Sequence, residues 1–517
     1  MKWNFQRSKD RLAGEWARIQ EAGLNIQRLT REMDLSNLSP TDTRIVHGCH
    51  IYCHIANFGE LIDSPLLRQD EFRRLHRLLH IIRVEQRHTL QQIFGGDKIQ
   101  VQGPKFHGLI YKPYDDDPAL AWKSVLAAVA LNLISRYAIP LVFPNYPALI
   151  PATGVAIGDC LVANIGPRAE RELISVGRAA NYAAKILEEN NAVTVDSELW
   201  LKLAEEHQEL FFKVGDVYVL DESLIGDPEQ LLKDQSYTWT IEQSAARMET
   251  TCDDLPLAEI NSSAAQVEVD FSQLGPRTIK TCTGASLFVD IDKYTATIDA
   301  LLGDEDQLGK AVQWLHLFRY EVRHVTVDQN AVPVQHQGDR LQALSHLPFD
   351  DESAAMRKAV EICIDYNSSM EEVLNVYHAD LGKLYVAIGA SFGKTVALRS
   401  GVRGDMDAGC LSKAIKEAEH WQIASSGGEI SISSRMYDAL DDEAIRDQFH
   451  FNEARSCYTA KDLTWTKVAD LRKSRNYASK EPVGFNKENS AIVFGITASQ
   501  SREVLPLKQT RPWGFNE

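Results

Sequence analysis

Along "HGCHIYCHIANF" (47–58), every second side chain belongs to one set. His47, Cys49, Ile51, Cys53 and Ile55 fall on one side, and His50, Tyr52 and His54 on the other. A period of two predicts a β-strand. The stretch holds five residues able to bind zinc, but alternation points them to opposite faces, so a buried, thiol-rich strand is expected. In "MKWNFQRSKDRLAGEWARIQ" apolar residues recur at helical spacing among charges, which predicts a helix rather than an export signal. The most apolar run, "ALAWKSVLAAVALNLISRYAIPLVF" (119–143), is interrupted by Lys123, Arg136 and Pro140. That argues against a membrane span and predicts a buried helix followed by a strand.

The pattern repeats. Shifted by 236 residues, "LHIIRVEQRH" (79–88) falls on "LHLFRYEVRH" (315–324) with six of ten positions identical, and the opening strand falls on "TGASLFVDIDKY" (283–294). At 235, "QGPKFHGLIYKP" (102–113) meets "QGDRLQALSHLP" (337–348), and "GVAIG" (154–158) meets "GASFG" (389–393). At 237, "AVTVDSELWLKL" meets "EISISSRMYDAL". Order is kept throughout, so the chain contains a duplicated domain and both copies share one fold.

Within a copy, a strand is followed by a helix, the long "LHxxRxExRH" helix, a hairpin around "QHQGD" and another helix. A hairpin around "YVAIGASFGKTVALRSG" and a helix from "LSKAIKEAEHW" complete it. This is the style of a split βαβ unit. The boundaries expected are an N-terminal helical segment (1–44), a first domain (45–225), a linker (226–279), a second domain (280–475) and a tail (476–517). The linker is acidic, turn-rich and unmatched in the repeat. The unmatched tail is expected to cross to the other copy.

Composition narrows the function. The chain has 517 residues, and its formal net charge of -17, from 72 acidic and 55 basic side chains, repels a polyanion. Nucleic acid is not expected as a partner. A small phosphorylated ligand remains compatible where amides, metal ions and a few basic groups neutralise it. Eight scattered cysteines, mostly in apolar segments, suit reduced core thiols in a cytoplasmic protein, and no membrane is expected.

In the second copy Asp290 ends an apolar strand and Asp339 follows Gly338 at a hairpin tip. Two carboxylates from neighbouring strand ends could hold two divalent ions on a triphosphate. "LFVDIDKYT" resembles the first metal motif of class III nucleotidyl cyclases, F-x-D-I-x-x-F-T, and "QGDRLQAL" the second, G-D-x-x-x-A. In the first copy, "GVAIGDCLVANIGPRAERELISVGRAANYAAKILEE" (154–189) is similar to the remaining signature, V-N-x-A-x-R after a glycine-rich hairpin.

The resemblance implies an α+β fold of two tandem ferredoxin-like domains packed head to tail as an intrachain pseudo-dimer, working as a monomer with a shared site. It implies two divalent cations, Mn²⁺ or Mg²⁺, on Asp290, Ile291 and Asp339. Asn181 would position the ribose and Lys185, where the family usually has Arg, would hold the α-phosphate. Arg340, Arg399 and Arg403 are further phosphate candidates. The first copy has His54 and Pro104 where the metal aspartates belong, and alignment puts Lys413 and Glu417 where the second copy should have the Asn and the basic residue. One competent and one degenerate site follow.

The positions that read a purine in this family hold Gln100 and Ile174, which do not supply the usual pair. The chain is in this respect similar to the pyrimidine cyclases of bacterial Pycsar antiphage systems. That implies UTP, or CTP, as the substrate, a 3′,5′-cyclic monophosphate as product, and a separate effector protein that reads it. The alternatives are a purine cyclase and a nucleotide-sensing pseudo-cyclase. "GASFGKT" has one residue too few for a Walker loop, and a tight hairpin is expected there. The repeated "LHxxRxExRH" is expected to be structural, at the interface or in helix packing.

Overall fold

The computed structural model describes residues 3–35, 38, 39, 41–68, 72–165, 172–187, 191–377 and 382–478. The crossing expected of the C-terminal tail concerns residues 479–517, outside this set.

Among the described residues, each copy supplies nine strands. The first has β1 (Asn25–Arg28), β2 (Asp42–Ile55), β3 (Asp97–Gln102), β4 (Lys105–Ile110), β5 (Pro151–Ile165), β6 (Glu172–Val176), β7 (Val193–Asp196), β8 (Phe211–Val214) and β9 (Val217–Leu220). The second has β10 (Asn261–Ala264), β11 (Thr278–Ile291), β12 (Val332–Gln337), β13 (Arg340–Ser345), β14 (Val386–Val402), β15 (Asp405–Leu411), β16 (Glu429–Ile432), β17 (His450–Asn452) and β18 (Cys457–Lys461). Their orders, β3-β4-β2-β5-β7-β9-β8 and β12-β13-β11-β14-β16-β18-β17, are the same order nine strands apart. This is the tandem α+β arrangement the repeat implies.

Strand alternation separates the opening cluster as expected. Cys49, Ile51, Cys53 and Ile55 join the core under helices Arg73–His88 and Asp117–Leu133, whereas Tyr52 packs on the opposite face. The Cys49 and Cys53 sulfurs lie 4.0 Å from the Leu120 and Leu131 carbonyls, away from His50 and His54.

Three expectations are corrected. The run 119–143 does not end in a strand. Helix Asp117–Leu133 continues through a π turn, Ile134–Ala138, into Ile139–Val142. Pro140 cannot bond four residues back and would clash with that carbonyl, so the turn before it widens. By length and composition the span Asp117–Val142 could cross a membrane, but 72% of its most apolar window is buried inside the protein.

Second, "GASFGKT" forms no hairpin. β14 runs straight through it, pairing with β11 from Lys280 to Ile291. Its glycines answer to a helix instead: a Cβ on Gly389 would sit 2.1 Å from the Ala418 carbonyl, and one on Gly154 2.3 Å from the Ala183 carbonyl. Glycine lets the helix press on the strand.

Third, residues 226–279 are not unmatched. Helix Ile241–Asp254 repeats helix Phe5–Ala22, and β10 repeats β1; each strand pairs parallel with the long strand that follows. The helices pack crosswise. Ser8 and Arg11 donate to Glu321 in the second copy, and Ser244 and Arg247 donate to Glu85 in the first. The glutamate of "LHxxRxExRH" is thus a buried acceptor for the helix that precedes the other domain.

The arginines of the same pattern cross between copies. Arg83 donates to Ser400, Arg87 lies 2.8 Å from Asp405, and Arg319 lies 2.9 Å from Glu172. Gln100 donates to the His336 carbonyl and its counterpart Gln335 to that of Val101. These reciprocal bonds hold the copies face to face.

Candidate active site

β11 and β13 pair with Asp290 opposite Arg340, and Asp339 immediately precedes Arg340 in the turn after β12. Gly338, at φ +66°, supplies the left-handed residue that this turn requires. The register therefore brings Asp290 and Asp339 together. Burial raises both carboxyls above the usual range, and each is raised further by a neighbouring carboxylate, Asp339 by Asp290. Gln422 donates to Asp290 Oδ2 at 3.0 Å, fixing one edge of that group.

A cavity of about 510 Å³ opens in front of them. Asp290, Ile291 and Asp339 line it from the second copy, and Asn181 and Lys185 from the first. Helix Arg178–Lys185 presents the latter two on one face, one turn apart. The Arg178 amide donates to Asp299, which ties the first copy's helix to the helix Tyr294–Leu301 beside the carboxylates. Two carboxylates and a main-chain carbonyl form a hard oxygen donor set, which fits Mg²⁺ or Mn²⁺ completed by phosphate oxygens.

Among the remaining candidates, Gln100 and Arg340 also line the cavity. Arg340 is already engaged: it donates to Gln337, Gln422 and Glu419 and lies over the Phe288 ring. Ile174 does not face the cavity; it is 1% exposed in the apolar core, because alternation along β6 turns its neighbour Ser175 inward instead. Arg399 and Arg403 lie elsewhere. Arg399 donates to the Met406 carbonyl across β14 and β15, and Arg403 is exposed in the turn between those strands.

The degenerate counterparts also shift. Gly154 meets Ala183 as Gly389 meets Ala418, and Gly158 meets Ala179 as Gly393 meets Ala414. The helices therefore match at an offset of 235, which places Lys416 and His420, rather than Lys413 and Glu417, opposite Asn181 and Lys185.

Tyr52, His107, Ser175 and Glu419 line the cavity without having been singled out. Ser175 was one residue away from a named position, and the alternation of "ELISV" was its signal. His107 reaches the site only through the pairing of β4 with β2.

Over 91% of this chain and 99% of the other, the structure is similar to a class III adenylyl cyclase-like ATP-binding protein from Pseudomonas aeruginosa, with a TM-score of 0.74 and 21% identity. This is a tandem class III cyclase fold. The cyclase-fold chain is also 25% identical over 480 residues to a uridylate cyclase from Pseudomonas aeruginosa, covering 86% of this chain and 88% of the relative. A uridylate cyclase from a Rhizobium species is 22% identical over 420 residues, covering 77% of this chain and 79% of the relative. No family model matches the chain.

Proposed function

We propose that the protein is a pyrimidine nucleotide cyclase that converts UTP, or CTP, to its 3′,5′-cyclic monophosphate and pyrophosphate, a messenger read by a separate effector in antiphage defence. One observation carries the cyclase reading: the two copies have kept complementary halves of one site, and both halves line a single cavity. Relatives named uridylate cyclase along most of the chain support the pyrimidine base.

Asp290, Asp339 and the Ile291 carbonyl would hold two divalent cations, which when bound lower the 3′-hydroxyl pKa and neutralise the triphosphate. Asn181 orients the ribose so that its 3′-oxygen faces the α-phosphorus. Lys185 meets the charge that develops on the α-phosphate oxygens as pyrophosphate leaves, acting as a point charge rather than a planar fork.

The test is incubation of the purified protein with each ribonucleoside triphosphate and Mn²⁺ or Mg²⁺, with products resolved by mass. Cyclic UMP or cyclic CMP is expected. Cyclic AMP or cyclic GMP alone would discard the pyrimidine reading, and binding of nucleotide without product would favour a sensor.

A further inference from the structure

Behind the cavity wall lies a chain of three polar groups that the reaction above does not use. His50 Nδ1 is 2.9 Å from His107 Nε2, and His50 Nε2 is 3.4 Å from Ser175 Oγ. His50 is fully buried and His107 is 2% exposed. Tyr52 stacks on the His107 ring, with centroids 4.1 Å apart and planes at 16°. Ser175 and His107 are the two ends of the chain, and both line the cavity.

Burial holds both imidazoles neutral, His50 down to about 3 and His107 well below its ordinary value. A neutral imidazole carries one N–H and one lone pair, so the chain has two self-consistent proton arrangements. In the first, the Ser175 hydroxyl donates to His50 Nε2 and His50 Nδ1–H donates to His107 Nε2. The hydrogen of His107 is then on Nδ1, and the cavity meets a donor at His107 and an acceptor at Ser175. In the second, His107 Nε2–H donates to His50 Nδ1 and His50 Nε2–H donates to Ser175 Oγ. The cavity then meets an acceptor at His107 and a hydroxyl donor at Ser175.

These two faces are complementary to the two pyrimidines. Uracil presents a carbonyl acceptor beside a ring N–H donor, and cytosine an amino donor beside a ring-nitrogen acceptor. The second copy has no such chain. Its matching residues, at the same strand registers, are Ser286, Gln342 and Cys410, and the Ser286 hydroxyl is buried without a partner. Among the described residues, the relay is confined to the copy that turns this face to the cavity.

We propose that Ser175, His50 and His107 read the pyrimidine edge, and that the direction of the protons along this relay decides between uracil and cytosine. The proposal rests on the cyclase reading above and assigns specificity to residues other than Gln100, whose amide is engaged with the His336 carbonyl and Gln102.

The test compares wild type with Ser175→Ala and His107→Gln, measuring kcat/KM for UTP and for CTP. Removing either end takes one contact from both bases and uncouples the protons of the groups that remain, so the direction they favour changes and the UTP-to-CTP ratio moves by about tenfold. The Mn²⁺ dependence stays unchanged. Because His107→Gln alters a buried position, ¹⁵N-histidine NMR of the wild type provides the second readout. With 3′-deoxy-UTP bound the His107 proton is expected on Nδ1, and with 3′-deoxy-CTP on Nε2. An unchanged ratio in both variants, or one tautomer with both nucleotides, overturns the relay while leaving the cyclase intact. A wild type that makes no cyclic pyrimidine overturns both readings.

Discussion

Lys105 of the first copy lies 3.1 Å from Glu419 of the second, and Glu419 also holds Arg340 at 3.0 Å. Arg340 adjoins Asp339, so this carboxylate joins the domain interface to the turn that carries Asp339. Burial opposes its charge, but Lys105 and Arg340 together hold its pKa down to about 2.

That shift has a definite sign. Unfolded, a glutamate titrates near 4.3, so the native ion pair stabilises the protein fully above that pH and is lost as pH falls towards 2. The contribution is on the order of 2 to 3 kcal/mol. Glu419→Gln is expected to lower stability at pH 7 and to flatten its decline between about pH 4.5 and pH 2.5. Urea denaturation across that range checks it; an unchanged acid limb would remove Glu419 from the interface account.

Asp290→Asn and Asp339→Asn test the proposed divalent-ion site. Each removes a hard anionic ligand and should lower turnover about a thousandfold with the fold intact. Each also relieves repulsion between two crowded carboxylates, so the metal-free variants should melt no lower than the wild type. Thermal melts in chelator, alongside product mass, separate loss of chemistry from loss of structure.

The two pseudo-symmetric helices should behave oppositely. Lys185→Ala is expected to reduce turnover about a hundredfold, the usual cost of one transition-state donor. His420→Ala, at the matching position of the other copy, should leave it within about twofold. Comparable losses in both would mean that both halves carry chemistry.

How much of this was legible follows from what each residue depends on. Asp290, Asp339, Asn181 and Lys185 lie in short contiguous patterns, and the family resemblance laid on the repeat assigns two of them to each copy. Ser175 and His107 meet His50 through three strand registers spread over 125 residues, which no local pattern encodes. Residues 241–254 escaped the repeat because only a Ser and an Arg three apart, Ser244 and Arg247 against Ser8 and Arg11, carry the shared function of holding a buried glutamate. The glycines of "GVAIG" and "GASFG" suggested turns because a turn is the local reason for glycine. Here the reason is a helix from further along the chain that crosses the strand.

That crossing yields the last prediction. Gly154 in β5 lies under helix Arg178–Lys185, where an added Cβ would be 2.3 Å from the Ala183 carbonyl and 2.9 Å from Ile186. Backbone cannot give way as a side-chain end can, so Gly154→Ala must lift the helix off the sheet, at about 1 to 3 kcal/mol. The same helix carries Asn181 and Lys185, and a displacement of about 1 Å at reacting groups costs about a hundredfold in rate. Gly154→Ala should therefore lose turnover out of proportion to stability. Gly389→Ala, under the other copy's helix, should cost similar stability through contact with Ala418 and Gln422. It also presses on Gln422, which orients Asp290, so its activity loss should appear as weaker Mn²⁺ binding rather than as the loss seen for Lys185→Ala. Denaturation midpoints and metal titrations of the two variants, measured side by side, distinguish a helix that merely packs from one that carries the site.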